Sequence, residues 1–219
     1  MKHKITSLSE HLKEDFKYPF FLISLLAFLF VPSLVGQGYH EIVGDILFVL
    51  FIISSLSLIS SESKVVLMFT YGIGLLGVSA EIYHYFIQPL NDTFQIGFML
   101  ILFIYFILLS SELILQIFKS KVITLNVVLG AFTGYIMIGI IGYFIFRIIF
   151  ILDHESFAIP IESSKDLIYF SFITLTTIGY GDISPITDSA RNFAILLGLI
   201  GQFYNTVIIA IIIGKFLQK

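Results

Sequence analysis

Six apolar stretches, each close to the length that crosses a lipid bilayer, constrain the fold of this 219-residue chain more than any other feature. A membrane-spanning helix needs about 20 apolar residues to cross about 30 Å of hydrocarbon. The composition agrees, because 58% of the residues are hydrophobic and 12% are charged, whereas soluble domains average about 25% charged residues. The chain is therefore predicted to be an all-α integral membrane protein. Its predicted spans are residues 19–36, 42–60, 64–88, 93–118, 122–152 and 186–217.

The distribution of lysine and arginine predicts the orientation of these spans. Arg147, Lys165 and Arg191 fall on one side of the membrane if the number of spans is even. Positive charge concentrates on the cytoplasmic side, so both termini are predicted to be cytoplasmic and residues 153–185 to lie outside. The lysines on the predicted cytoplasmic side are Lys2, Lys4, Lys13, Lys17, Lys64, Lys119, Lys121, Lys215 and Lys219.

Residues 1–18 are predicted to form a separate amphipathic helix on the cytoplasmic membrane face. Apolar residues recur there at three- and four-residue spacing, with lysines between them, which is typical of helices that lie in the interface. Ser7 and Glu10 fit the spacing of a helix-capping box. A disordered tail is the alternative interpretation.

Composition and motifs argue against several functional classes. The formal net charge of −3 gives no indication of nucleic-acid binding, and the absence of cysteine leaves no disulfide or thiolate metal site. The five histidines never occur at the spacing of metal ligands. No phosphate-binding loop or hydrolase motif is present. We therefore expect no enzymatic activity, no ATP site and no cofactor, and the lack of cysteine and of soluble domains favours a prokaryotic cell membrane.

The sequence TLTTIGYGD, residues 174–182, interrupts the apolar pattern between the last two spans. A short amphipathic segment precedes it, and Ser163 and Asp166 fit a capping box at its start. The chain is predicted to enter the membrane from the outside as a short helix, turn, and return before the last span. Irregular backbone at membrane depth is tolerated where it is buried in protein or lines a watery path. The interruption is therefore predicted to line a path.

The residue types of this interruption suit a cation that has lost its water. Carbonyl groups of residues 177–180 can all face one axis only if the backbone alternates in hand, and Gly179 and Gly181 have the spacing and the freedom that this requires. The Thr177 hydroxyl adds an oxygen at the inner end. Rings of such oxygens replace the hydration shell in potassium filters. Because the chain holds one copy of the loop, four chains are predicted to surround a common axis.

Residues 122–219 resemble the pore module of the tetrameric potassium channel superfamily, which has an outer helix, a pore helix, a filter and an inner helix. TLTTIGYGD carries the resemblance, with Ile178 where the commonest form has valine, and Tyr169 and Phe170 provide aromatic residues on the pore helix. The resemblance implies a homotetramer in membrane lipid with K⁺ as the permeant ion. It also implies these roles: K⁺ binding at Thr177, Ile178, Gly179 and Tyr180, a filter completed by Gly181, support by Thr176 and Asp182, and a hinge at Gly201.

Residues 19–118 resemble the four-helix domain, S1–S4, that precedes the pore domain (here 119–219) in six-span channels, but only in the number and orientation of spans. In voltage-gated members the fourth span carries a basic residue at every third position. Residues 93–118 contain none, and Glu112 is their only charge. The predicted function is a passive potassium channel that is not conventionally voltage-gated. The alternatives are a transporter subunit and a non-conducting regulatory subunit. The single complete GYG loop disfavours the first, and the intact filter disfavours the second.

A few polar residues within the spans have two interpretations each. Gln202 and Asn205, three residues apart on the last span, lie near one face. The resemblance implies that this face lines a central cavity below the filter, and the alternative is hydrogen bonding between subunits. Asp45, Glu81 and Arg147 either form a proton- or cation-sensing site, or are solvated at the membrane interface or joined in a structural pair with Arg147. The glycines of the third and fifth spans are predicted to serve close helix packing. Phe170 has no ring nitrogen to donate to Asp182, and Ile173 replaces an acidic partner, so few hydrogen bonds are predicted behind the filter.

Overall fold

The computed structural model describes residues 2–36, 39–56, 71–76, 79, 92–120 and 122–217, and these residues are almost entirely helical. Among the described residues, four helical stretches are long and apolar enough to cross a membrane, which confirms a helical, membrane-capable fold. Most of the predicted third span, 64–88, lies outside the described residues, so the number of spans stays a prediction. The helices are α1 (Lys2–Leu34), α2 (His40–Leu56), α3 (Asp92–Lys119), α4 (Leu125–Leu152), α5 (Ser164–Leu175) and α6 (Asp188–Leu217). The four membrane-capable stretches are Lys17–Leu34, Phe94–Lys119, Leu125–Leu152 and Asp188–Lys215.

Helix α1 runs without interruption from Lys2 to Leu34 and contains Pro19 and Pro32. The predicted N-terminal helix is thus continuous with the predicted first span. The capping box predicted at Ser7 is wrong, because the helix begins at Lys2 and Ser7 lies inside it. Pro19, which removes one backbone donor, stands where the sequence suggested a boundary, and the helix continues through it. The division of the chain at residues 18 and 118 stays a prediction.

A row of phenylalanine rings joins the first four helices. Phe21 of α1 lies 5.2 Å from Phe51 of α2, and Phe51 lies 5.4 Å from Phe106 of α3, measured between ring centroids. Phe106 in turn lies 5.3 Å from Phe144 of α4. Phe21, Phe51 and Phe106 are fully buried. Buried aromatic rings contribute large apolar areas to a core, so this row packs the N-terminal helices against α4 of the same chain.

The glycines of α4 allow other elements to come close, as the sequence predicts. A side-chain carbon on Gly139 or Gly142 would meet Phe172 or Ser171 of α5, and one on Gly130 would lie 3.1 Å from Tyr18 of α1. The Ser171 hydroxyl donates to the Gly139 carbonyl at 2.6 Å. Helix α5 is therefore seated on the glycine face of α4.

Lys215 on α6 binds the C-terminal end of α3. Its ammonium donates to the carbonyl oxygens of Ile117 at 3.0 Å, Phe118 at 2.9 Å and Ser120 at 2.5 Å. The last four carbonyls of a helix have no partner within the helix, and a cation there also offsets the helix dipole. Lysine has three donors, so these bonds use its full capacity and fasten the end of α6 to α3.

Candidate ion-conduction site

The backbone after α5 alternates between left-handed and right-handed conformations, that is, between positive and negative φ. Thr177, Gly179 and Gly181 have φ of 59°, 54° and 80°, and the residues between them have negative φ. Positive φ at the two glycines confirms the prediction from their spacing. Positive φ at Thr177 was not predicted, because threonine is β-branched and rarely adopts it.

The direction of the N–H groups fixes the direction of the carbonyl groups. The Thr177 N–H donates to the Thr174 carbonyl at 3.1 Å, and the Gly179 N–H donates to the Ile173 carbonyl at 3.2 Å. Both acceptors belong to α5, so these N–H groups point back at the helix. Because the peptide bonds are trans, the carbonyl groups of Thr176 and Ile178, which share peptide units with these N–H groups, point the opposite way, away from α5.

The side chains of this segment are exposed in the single chain. Ile178 and Tyr180 are 55% and 73% exposed. No atom lies within 4 Å of a side-chain carbon placed on Gly179 or Gly181. These glycines are therefore required by their backbone conformation, since space is available for a side chain.

Two features hold the helix that supports this segment. At its start, the Asp166 carboxylate accepts from the backbone N–H groups of Glu162 and Ser163, each at 2.9 Å, so the predicted capping box is confirmed. At its end, the Thr176 hydroxyl donates to the Phe172 carbonyl at 2.7 Å. Such bonds satisfy groups that a helix end otherwise leaves unpaired.

Asp182, directly after the glycine-rich segment, accepts a hydrogen bond of 2.7 Å from the Tyr169 hydroxyl of α5. This donor was not predicted, because Phe170, which has no ring nitrogen, was considered for the role; its ring centroid lies 4.7 Å from that of Phe146. The bond from Tyr169 is the main reason that the pKa of Asp182 lies below its ordinary value. The same bond raises the pKa of Tyr169 to about 12. The signal that could have predicted this contact was Tyr169 itself, a hydroxyl donor on the predicted pore helix 13 residues before Asp182.

Residues before α5 are tied to residues after the segment. The Ala158 N–H donates to the Ser184 carbonyl, and the Ile186 N–H donates to the Ser156 carbonyl, both at 2.9 Å. These bonds surround an isolated antiparallel bridge between Phe157 and Pro185. These contacts join the loop before α5 to the loop after the glycine-rich segment. Helix α5 and the segment are therefore held in one unit.

Helix α6 approaches this unit at Gly201. A side-chain carbon there would overlap the Leu175 carbonyl oxygen, so close packing requires glycine at this position. The neighbouring Gln202 is exposed, and its Nε2 lies 3.3 Å from the Thr177 hydroxyl oxygen. Asn205 is half-buried, whereas Thr206 is exposed and donates to the Gln202 carbonyl at 2.9 Å. Thr206 was not singled out from the sequence, although its four-residue spacing from Gln202 indicates the same face.

Two of the charged residues singled out within the spans, Arg147 and Glu112, contact neighbours on their own helices. The Arg147 guanidinium lies 5.8 Å from the ring of Phe150. Glu112 accepts a hydrogen bond of 3.0 Å from the Gln116 amide on the next turn of α3. Glu81 lies outside the described residues.

Comparison with known proteins relates the C-terminal part of the chain to ion channels. Residues 130–219, which include α5, the glycine-rich segment and α6, match a family described as an ion channel. A bacterial relative, the voltage-gated potassium channel Kch of Escherichia coli, is 51% identical over 41 residues. The ion channel match and these potassium channel relatives support the potassium channel superfamily for this segment of the chain. The matching family is a channel family and not an enzyme family.

Other potassium channels also match short segments of the chain. Two pore potassium channel c of rice is 40% identical over 58 residues, 26% of this chain and 13% of that protein. Potassium channel subfamily K member 17 of human is 49% identical over 41 residues, 19% of this chain and 12% of that protein. The Kch match covers 19% of this chain and 10% of that relative. These relatives come from a plant, a bacterium and a mammal, so a prokaryotic source stays a prediction. No solved structure matches the chain.

Proposed function

We propose that this chain is one subunit of a potassium-selective channel, through which K⁺ crosses the membrane passively along residues 177–181. The observation that carries the proposal is the alternating φ at Thr177, Gly179 and Gly181. The N–H groups of Thr177 and Gly179 bind α5, so the carbonyl groups of Thr176 and Ile178 point away from it, which supports the same direction for the other carbonyl groups of the alternating segment. Rows of carbonyl oxygens of this kind replace the hydration shell of K⁺ in selective filters.

One chain supplies one wall of such a filter, so the proposal includes a homotetramer around a common axis. The exposure of Ile178 and Tyr180 supports this, since a filter needs oxygens on all sides of the ion. K⁺ is proposed to bind between oxygen rings contributed by Thr177, Ile178, Gly179 and Tyr180. It is the permeant ion, and no other cofactor is proposed.

The residues around the filter have supporting roles in this proposal. Thr176 and Asp182 hold its two ends through the bonds to α5. Gln202 and Asn205 face a water-filled cavity on the inner side. Gly201 is proposed as a hinge by resemblance alone, because α6 is continuous and packing against Leu175 already accounts for a glycine there.

The proposed channel lies in a cell membrane with both termini in the cytoplasm and is not conventionally voltage-gated. Helix α3 supports the last point. Its charged residues are Asp92 and Lys119 near its ends and Glu112 between them. A sensor that moves several positive charges through the membrane field needs basic residues within the span.

The proposal is tested by ion flux into liposomes that contain only the purified protein. A potassium gradient should drive flux without a nucleotide or a coupled ion, and an equal sodium gradient should drive far less. Empty liposomes give the background. Flux that requires a second ion would indicate a transporter, and flux equal to the background would indicate a regulatory subunit. Either result would overturn the proposed function.

A further inference from the structure

Thr177 has a backbone conformation that its side chain disfavours. Its φ of 59° is unusual for any residue other than glycine, and β-branched residues disfavour it most. Strained conformations persist where surrounding contacts hold them, and they concentrate at functional sites. The contacts of Thr177 therefore identify the groups that keep the inner end of the filter in place.

Two of these contacts are local. The Thr177 N–H donates to the Thr174 carbonyl at 3.1 Å, and its hydroxyl donates to the Thr176 carbonyl at 2.7 Å. The hydroxyl proton is thus already engaged, and the oxygen retains its capacity to accept. Any further hydrogen-bond partner of this hydroxyl therefore has to be a donor.

Gln202 provides that donor from α6. Its Nε2 lies 3.3 Å from the Thr177 hydroxyl oxygen. Because the hydroxyl proton points to Thr176, the amide has to present its NH₂ group and not its carbonyl oxygen. The close approach of α6 to Leu175 at Gly201 places the next residue, Gln202, against the inner end of the filter.

We propose that Gln202 is a positioning residue for the filter: its amide orients the Thr177 hydroxyl and thereby shapes the innermost ion site. This inference rests on the proposed function. The hydroxyl oxygen lies at the entrance from the cavity, so its direction sets how well an ion of K⁺ size is held there. Gln202 acts through Thr177, in contrast to a residue that only lines the cavity.

The experiment measures block by cytoplasmic Ba²⁺, a divalent cation of about the size of K⁺, in the reconstituted channel. Gln202→Met keeps the length of the side chain and removes the amide. Loss of one hydrogen bond corresponds to a factor of about 2–12 in an equilibrium constant, so Ba²⁺ block should weaken by about that factor. The preference for K⁺ over Rb⁺ should change as well. Asn192→Leu removes an exposed amide elsewhere on α6 and serves as the control.

A double-mutant cycle with Thr177→Val tests whether Gln202 acts through the hydroxyl. Once that hydroxyl is absent, Gln202→Met should cause no further change in Ba²⁺ block, because the interaction is already lost. Additive effects of the two substitutions would overturn the proposal.

Thermal unfolding of the purified protein gives a measurement that does not require conduction. Ba²⁺ that binds the folded protein raises the unfolding midpoint, and this rise should be smaller for Gln202→Met than for wild type or Asn192→Leu. Equal rises in all three, or unchanged Ba²⁺ block in a potassium-selective Gln202→Met channel, would overturn the role of Gln202. Loss of potassium selectivity in the wild type would instead overturn the proposed function.

Discussion

At the scale of single residues, Gly179 matters for its backbone and not for its size. Its φ of 54° lies in the region that favours glycine, and no atom would contact a side-chain carbon there. We therefore predict that Gly179→Ala lowers the preference for K⁺ over Na⁺, because the added carbon disfavours the conformation that aims the carbonyl groups. The permeability ratio in reconstituted bilayers measures the effect.

Gly97→Ala is the matched control for this substitution. Gly97 lies on α3, also has open space around it, and has no positive φ. Alanine favours a helix over glycine by about 1 kcal/mol, so this variant should fold and conduct as the wild type does. If both variants keep the same selectivity, the assignment of residues 177–181 as the filter is wrong.

The bond between Tyr169 and Asp182 predicts a pH dependence at the outer end of the filter. Tyr169 lowers the pKa of Asp182, so the bond contributes stability above the ordinary carboxyl pKa and loses it as pH falls through the lowered pKa. The pKa of Tyr169 is raised to about 12. The stability that the protonated Tyr169 hydroxyl contributes through this bond is therefore fully present below the ordinary tyrosine pKa and is lost as pH rises through about 12. The bond should thus be intact between about pH 5 and pH 10.

Tyr169→Phe should return the pKa of Asp182 toward its ordinary value, since the donor that stabilises the carboxylate is removed. A carbon-13 NMR titration of Asp182 measures this shift directly. Tyr39→Phe changes another exposed tyrosine and should leave the titration unchanged. An identical titration in wild type and Tyr169→Phe would mean that the bond does not form in solution.

At the scale of whole elements, Lys215 predicts how the end of α6 is held. Lys215→Met removes three hydrogen bonds to the end of α3, and bonds to charged groups contribute about 1.5–3 kcal/mol each. The distance between the two helix ends should therefore increase or become broadly distributed. Spin labels at Phe118 and Gly214 report this distance, and the absence of native cysteine makes the labelling specific.

Lys119→Met is the control for the charge. Lys119 is exposed at the end of α3, so its removal changes the net charge of the same region by the same amount. The distance between the labels should stay as in the unsubstituted protein. A distance that responds equally to both substitutions would attribute the effect to charge alone and contradict the role of the Lys215 bonds.

The sequence predicted the long helices better than their contacts. Long apolar stretches require helices in a bilayer, because backbone groups find no water there, and α3, α4 and α6 follow these stretches closely. The continuity of α1 was missed because polar residues before Pro19 look like a separate element. The spacing of Gly179 and Gly181 predicted their φ, whereas the φ of Thr177 depends on contacts from Thr174, Thr176 and Gln202 that only the folded chain brings together.

At the scale of the whole molecule, the charges of α3 predict a weak response to voltage. Moving one charge through the full field yields about 2.3 kcal/mol per 100 mV, so four copies of Glu112 would supply at most about 9 kcal/mol, against the tens used in steep gating. Gating-current measurements should therefore detect no large charge movement from the N-terminal helices. Several elementary charges per subunit would contradict the prediction.

The reversal potential of the purified protein in a planar bilayer tests potassium selectivity most directly. K⁺ is set tenfold higher on one side, and Na⁺ replaces it on the other at equal ionic strength. A potassium-selective filter predicts a reversal potential close to the potassium equilibrium potential, about 59 mV in magnitude for a monovalent ion. Reversal near 0 mV, or at the sodium equilibrium potential, would contradict the proposal that residues 177–181 select K⁺.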